Sequence, residues 1–121
     1  MTILEFKEKL ECTILRNDVI SKINGCYGCE IPDTVAKIVS FTTEGLFFET
    51  DSIIKLLSLS EILEASSDLH VDFLEYKCIP LFDTGENDFI VYQFNQSKWA
   101  KMNIVDKTIF KQRDNLFELL K

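Results

Sequence analysis

The sequence predicts a single α+β domain over residues 1–121, with a central, mainly antiparallel sheet and flanking helices. Near the N-terminus apolar residues recur at helical spacing, whereas the second half contains β-prone runs separated by short polar turns. The chain of 121 residues is 46% hydrophobic and includes ten Phe residues. A chain of this size and composition buries enough apolar surface to fold as one domain without disulfide bonds.

The first predicted element is an amphipathic helix from about Ile3 to Leu15. Thr2 and Glu5 form a capping-box pattern, and apolar residues then follow at helical spacing. A short apolar stretch from Val19 to Ile23 comes next. Residues 24–29 have the glycine spacing of a loop, so no regular structure is predicted there.

A second helix is predicted to begin at Pro32 and to end near Phe41. Proline suits the first turn of a helix, and Asp33 favours the positively polarised end. Residues 46–49 and 53–57 are β-prone runs separated by a polar turn, which predicts two strands or a hairpin. The buried stripe predicted for the helix consists of Val35, Ala36, Ile38 and Val39.

A third helix is predicted from Ser58 to about Ser66, because Ser58 and Glu61 repeat the capping-box pattern. Residues 70–76 are assigned to a connector. Near the C-terminus, Asp114 can cap a last helix that docks on the sheet. The apolar residues of that helix are Leu116, Phe117, Leu119 and Leu120.

Three further strands are predicted at residues 77–82, 88–94 and 98–104, with residues 84–87 as a tight turn between the first two. The middle strand has apolar side chains at both odd and even positions. Such a strand should be covered on both faces. It is therefore the best candidate for the centre of the sheet.

The net charge of −7 disfavours nucleic-acid binding, since affinity for phosphates comes mainly from Lys and Arg. Lys98, Trp99 and Lys101 form the one basic-aromatic cluster, which is interpreted as a solvated strand face; Trp99 and Tyr92 themselves are more typical of core packing. An acidic surface suits a basic protein partner. No apolar run has the length of a membrane helix and the N-terminus lacks a signal-peptide pattern, so we expect a cytoplasmic location without membrane contact.

Cys26 and Cys29 form a C-x-x-C pair, a spacing found in redox couples and in zinc sites. A redox pair usually lies where a strand leads directly into a helix, but here a helix and an irregular segment precede the cysteines. A structural zinc ion needs four ligands, and Cys12, Cys78 and His70 are scattered singly. We therefore predict no metal site and no cofactor, and keep a thiol or zinc protein as a weaker functional alternative.

The sequence also predicts no enzyme and no catalytic residues. His70 is the only histidine, and no nucleophile elbow, Gly-rich phosphate loop or H-E-x-x-H pattern accompanies it. Three carboxylates lie around Gly85, but the alternating ligand positions of an EF-hand loop are missing. Paired catalytic carboxylates need a cleft, which a hairpin turn does not supply.

The acidic turn is instead expected to contact a basic protein partner, because complementary charge speeds association. The predicted partner-binding residues are Asp83, Glu86, Asn87 and Asp88, with Glu44 and Glu49 as neighbours.

The second half of the chain contains several spaced motifs in a defined order. Leu56-Leu57-Ser58 precedes Glu61-Ile62-Leu63, and Val71-Asp72-Phe73 precedes Ile79-Pro80-Leu81-Phe82-Asp83. The series continues with Asn87-Asp88-Phe89, Tyr92, Trp99 and Asn103-Ile104-Val105-Asp106. In this order the motifs resemble the SUKH superfamily, in particular its bacterial immunity branch, and the resemblance is clearest over residues 53–120.

This resemblance implies an α+β fold with a mainly antiparallel sheet and implies no catalytic residues. The superfamily includes bacterial toxin-immunity proteins and fungal cell-wall assembly regulators. We therefore expect an immunity protein that binds and neutralises a cognate polymorphic or contact-dependent toxin, such as a nuclease. The alternative is a regulatory or adaptor module that binds an endogenous protein.

Overall fold

The computed structural model describes residues 1–120 as a single-domain α+β fold built on one six-stranded antiparallel sheet. The strands lie side by side in sequence order, so the sheet is a meander. The strands are β1 (Leu46–Phe47), β2 (Lys55–Leu56), β3 (Cys78–Asp83), β4 (Asp88–Gln93), β5 (Lys98–Asn103) and β6 (Ile109–Arg113). The helices are α1 (Ile3–Leu10), α2 (Asn17–Tyr27), α3 (Asp33–Phe41), α4 (Leu59–Leu63), α5 (Ala65–Leu69) and α6 (Phe73–Tyr76), and a 3₁₀ turn covers Leu116–Glu118.

The local helix signals are confirmed. The Thr2 side chain accepts a hydrogen bond from the Glu5 backbone N–H at 3.1 Å, and Ser58 accepts one from Glu61 at 3.2 Å. Both are reciprocal capping boxes. Helix α3 ends at Phe41 as predicted. Its buried residues include the whole predicted stripe of Val35, Ala36, Ile38 and Val39.

Strands β3 and β4 lie at the centre of the sheet, as predicted for β4. Every residue from Phe89 to Gln93 is buried, because helices or loops cover both faces of this strand. Tyr92 lies opposite Trp99 of β5, and the two rings pack edge to face with centroids 5.2 Å apart. Trp99 is therefore a core residue and not part of a solvated strand face with the lysines beside it.

The Phe6 side chain connects α1 to the sheet. It is fully buried, and its ring lies edge-on to Phe41 and Phe48 at centroid distances of 5.2 and 5.0 Å. The ring centroid of Phe82, in β3, lies 6.3 Å from that of Phe6. One ring thus joins α1, α3, the segment after β1 and a central strand.

Two predictions for the first half are wrong. Helix α1 ends at Leu10 rather than near Leu15. Ile14 continues the helical spacing of apolar residues, but it is 85% exposed because no core lies beside it. The predicted loop at residues 24–29 is helical up to Tyr27. Burial of Tyr27 against α4 extends α2, and Gly28 then ends it with a φ of 65°.

The connector and the C-terminus also differ from the prediction. Residues 73–76 form helix α6 rather than an irregular connector. Strand β6 was not predicted, because an edge strand with exposed polar residues has little hydrophobic pattern. The predicted last helix is a single 3₁₀ turn, capped by Asn115 rather than by Asp114. Asp114 instead pairs with Lys98. Within residues 1–120, none of the helices has the length and apolar character needed to span a membrane.

Candidate partner-binding surface

Three loops meet at one end of the sheet. The loop after β1 reaches the turn between β3 and β4, since a Cβ on Gly85 would lie 3.9 Å from the Ile53 Cβ. On the other side, the Ile104 backbone N–H donates to the Asn87 carbonyl at 2.9 Å. These contacts make one continuous surface. We call it the sheet tip and define it by residues 47–54, 83–88 and 104–108.

The turn between β3 and β4 has a fixed geometry. Glu86 and Asn87 have positive φ values of 53° and 67°, and the Asp88 N–H donates to the Gly85 carbonyl at 3.0 Å. This is the pattern of a type I′ turn, whose twist matches that of the flanking strands. The turn therefore holds Glu86 and Asn87 exposed at the apex of the tip.

Asp83 and Asp88 are half-buried and support this turn. Asp83 Oδ1 accepts a hydrogen bond from the Gly85 N–H at 2.9 Å. Asp88 Oδ1 accepts one from Asn103 Nδ2, also at 2.9 Å, which connects the turn to β5. Of the four predicted turn residues, two thus position the backbone and two are presented to solvent.

The other two predicted residues have different positions. Glu49 lies in the loop after β1 rather than in a strand, and its Oε1 is 3.4 Å from the N-terminal amine of Met1. It is exposed and belongs to the tip. Glu44 is exposed before β1, next to Gly45, which packs on the backbone of Leu56 at the far end of the strand from the tip. The structure therefore brings five of the six predicted residues together.

The tip also presents apolar side chains that the sequence analysis missed. Phe47, Ile53 and Val105 are 65%, 64% and 67% exposed. Phe47 and Ile53 were assigned to the predicted strands at residues 46–49 and 53–57. The polar segment between these two strands was the one sequence feature that indicated their exposure. The three ranges that define the tip also contain six carboxylates and one lysine, and the Lys55 ammonium, just outside them, lies 5.7 Å from the Phe47 ring centroid. The charged residues within the ranges are Glu49, Asp51, Asp83, Glu86, Asp88, Asp106 and Lys107.

A groove of about 100 Å³ lies beside the tip, between the sheet and helices α4 and α5. We call it the acidic groove. Asp83 lines both the groove and the tip, whereas Glu61 and Asp68 were not predicted as site residues. The available signal was compositional, because residues 59–75 contain five acidic residues and no Lys or Arg. Its main lining residues are Leu57, Leu69 and Phe89, with the carboxylates of Glu61, Asp68 and Asp83.

The negative charge of Glu61 is already compensated within the protein by Lys55. Its Oε2 accepts a hydrogen bond from Lys55 Nζ at 2.9 Å, and its Oε1 accepts one from the Ser58 N–H at 2.9 Å. Partial burial opposes ionisation, but these hydrogen bonds and the Lys55 charge hold the pKa of Glu61 below its usual value. Asp68 and Asp83 therefore provide the acidic character that an incoming group would meet.

The C-x-x-C pair lies at the C-terminal end of α2. Burial raises the pKa of both Cys26 and Cys29, and the negative end of the helix dipole also disfavours a thiolate there. Cys26 Sγ is 3.5 Å from the Leu63 carbonyl. Among residues 1–120, no three His, Cys, Asp or Glu side chains are grouped to hold a metal ion. Cys26 therefore contacts α4, and both thiols are poorly activated for redox chemistry.

We predict that a Cys26→Ser, Cys29→Ser double variant keeps the fold, with a free energy of unfolding within about 1 kcal/mol of the parent. The physical reason is that neither sulfur has a partner whose loss would leave a buried charge. Chemical unfolding followed by circular dichroism measures the change. Bound zinc in the purified parent protein, or a loss above about 3 kcal/mol, would revive the hypothesis of a zinc protein.

The fold and surface define a small α+β domain with an acidic, partly apolar tip. Comparisons with protein-family models, curated proteins and solved structures found no match to this chain. The surface chemistry of the tip and the acidic groove is therefore the basis for a functional proposal.

Proposed function

We propose that this protein is a non-enzymatic, SUKH-like immunity protein that binds a basic toxin domain in the cytoplasm and neutralises it. The observation that carries the proposal is the sheet tip, whose three loops present both exposed apolar side chains and six carboxylates. Protein interfaces combine apolar anchors at the centre with a polar rim that excludes water. The tip contains both kinds of residue.

The electrostatics favour a cationic partner. The tip ranges contain six carboxylates and one lysine, and the whole chain has a net charge of −7. Such a field accelerates the encounter with a basic surface and disfavours an acidic one. Nucleases use cationic residues to hold phosphates, so an acidic surface placed over those residues would obstruct the path of the substrate.

The fold agrees with what the sequence resemblance implies. The sheet is antiparallel throughout, and the residues of the spaced motifs lie in strands β2 to β5, in helices α4 and α6 and in the adjoining loops. This agreement supports the proposal at the level of architecture. The carboxylates and apolar residues of the tip support it at the level of the binding surface.

We predict that Phe47→Ala lowers the affinity for the cognate toxin domain by about 30-fold, as expected for an anchor that contributes about 2 kcal/mol. Phe47 is exposed, so its removal should not unfold the protein. Isothermal titration calorimetry with the purified toxin domain measures the affinity. Leu4→Ala is a matched control, because Leu4 on α1 is also 65% exposed but lies outside the tip.

The cellular test uses any secreted-toxin candidate that is found encoded beside this gene. Cells that co-express the toxin with the parent protein should survive, and survival should fall with Phe47→Ala but not with Leu4→Ala. Equal killing with and without the parent protein would refute the immunity proposal. If the parent protein instead captured an endogenous enzyme, and Phe47→Ala abolished that capture, the adaptor function would replace the immunity proposal.

A further inference from the structure

The acidic groove is suited in size to one side chain. Its volume is about 100 Å³, whereas sites for drug-sized ligands and cofactors typically occupy about 300–1,000 Å³. A single water needs about 10–15 Å³ on a comparable scale. The groove therefore has room for the end of a long side chain and too little room for a nucleotide or similar cofactor.

The lining of the groove combines apolar walls with carboxylates on opposite structural elements. Phe89 comes from the central strand β4, and Leu69 comes from α5. Asp68 belongs to α5 and Asp83 to the end of β3, so the two acids approach the groove from a helix and from the sheet. The hydrogen bond from the Gly85 N–H uses one lone pair of Asp83 and leaves acceptor capacity for a further donor.

The charge around the groove adds to this. Of the three carboxylates that line the groove, Asp68 and Asp83 have no ion-pair partner within residues 1–120. Lys55 is occupied by Glu61. A cation that enters the groove would therefore meet uncompensated negative charge, and its apolar stem would meet Leu57 and Phe89.

We infer that the acidic groove receives an arginine side chain of the basic partner, an inference that rests on the proposed function. Arginine fits better than lysine for two reasons. The guanidinium is more weakly hydrated than an ammonium group, so it enters a half-enclosed apolar site at lower cost. It also has several donors in one plane, which can serve Asp68 and Asp83 together while its faces pack on the apolar walls.

The inference can be tested without the partner by titrating the protein with N-acetyl-L-arginine methylamide. In ¹H–¹⁵N NMR spectra at low ionic strength, the amide signals of residues 57–69 and 83–89 should shift in a saturable manner. The citrulline analogue has a similar shape without the charge and should bind at least about tenfold more weakly. The lysine analogue should also bind more weakly than arginine.

Matched variants locate the binding site. Asp68→Asn and Asp83→Asn should each weaken arginine binding by about tenfold, because each removes one charge-assisted partner. The amide oxygen that the second substitution introduces can still accept the Gly85 N–H, so the turn should be preserved. Glu64→Gln is the control: Glu64 is exposed in the same acidic segment but does not line the groove, and its substitution should change binding less than twofold.

The inference is wrong if arginine causes no saturable shifts, if lysine binds equally well, or if Glu64→Gln weakens binding as much as the groove variants do. These outcomes are distinct from failure of the proposed function. A toxin domain that binds the parent and loses affinity on Phe47→Ala, but not on Asp68→Asn, would retain the immunity proposal and refute the arginine site. Arginine binding without any toxin protection would refute the immunity proposal alone.

Discussion

Phe6→Ala is expected to lower the free energy of unfolding by about 3–5 kcal/mol, the range for truncation of a buried phenylalanine. The side chain is fully buried and contacts aromatic rings from three other parts of the fold. The surrounding rings cannot collapse into the cavity without moving α1 or β3. Because small domains are stable by only about 5–15 kcal/mol, this one change removes a large share of the total.

Urea unfolding followed by circular dichroism and tryptophan fluorescence measures this loss, and Trp99 provides the fluorescence signal. Leu4→Ala on the same helix is the matched control. Leu4 is 65% exposed, so its truncation should change stability by less than about 0.5 kcal/mol. A loss below about 1 kcal/mol for Phe6→Ala would contradict the packing of α1 on the sheet.

The elements that could be predicted from the sequence are those with local causes. The capping boxes at Thr2 and Ser58 need only residues three apart, and both are present in the structure. The apolar run of β4 indicated a central strand because a strand covered on both faces cannot alternate with polar residues. The turn at residues 84–87 was predicted because a short polar segment connects two β-prone runs there. Gly85, Glu86 and Asn87 all have positive φ in the structure.

The elements that could not be predicted depend on tertiary contacts. Helix α2 continues through Gly25 to Tyr27 because the Tyr27 hydroxyl donates to the Ile62 carbonyl at 2.6 Å, and Ile62 is 35 residues further along the chain. Conversely, Ile14 keeps helical spacing but has no surface to pack against, so α1 ends before it. A sequence pattern shows which residues could be buried and does not show what covers them.

The same distinction applies to the binding surface. The acidic turn is contiguous in sequence, so its carboxylates could be recognised together. The acidic groove pairs Asp68 with Asp83 across α5 and the end of β3, and a compositional bias was its sole signal. Phe47 and Ile53 were assigned to predicted strands, but the structure has strands of two residues there. Ile53 therefore lies in the loop before β2, whereas Phe47 is an exposed residue of the edge strand β1.

Gly45→Ala is expected to lower the free energy of unfolding by about 2–5 kcal/mol, through two additive causes. Gly45 has a φ of 74°, and placing an alanine in this left-handed conformation costs about 1–2 kcal/mol. In addition, the new Cβ would lie 2.7 Å from the Leu56 carbonyl oxygen and 3.1 Å from the Ser58 nitrogen. These are backbone atoms of the neighbouring strand and cap, so relief requires movement of β1, at a further cost of about 1–3 kcal/mol.

Gly28→Ala separates the two causes. Gly28 has a similar φ of 65°, but a Cβ there would meet no atom within 4 Å. It should therefore show the conformational cost alone, measured by the same urea unfolding experiment. Equal losses for the two variants would mean that β1 does not approach β2 as closely as the structure shows. Under the proposed function, a larger loss at Gly45 would also predict weaker binding of the partner, because the movement of β1 displaces Phe47, two residues further along, from the tip.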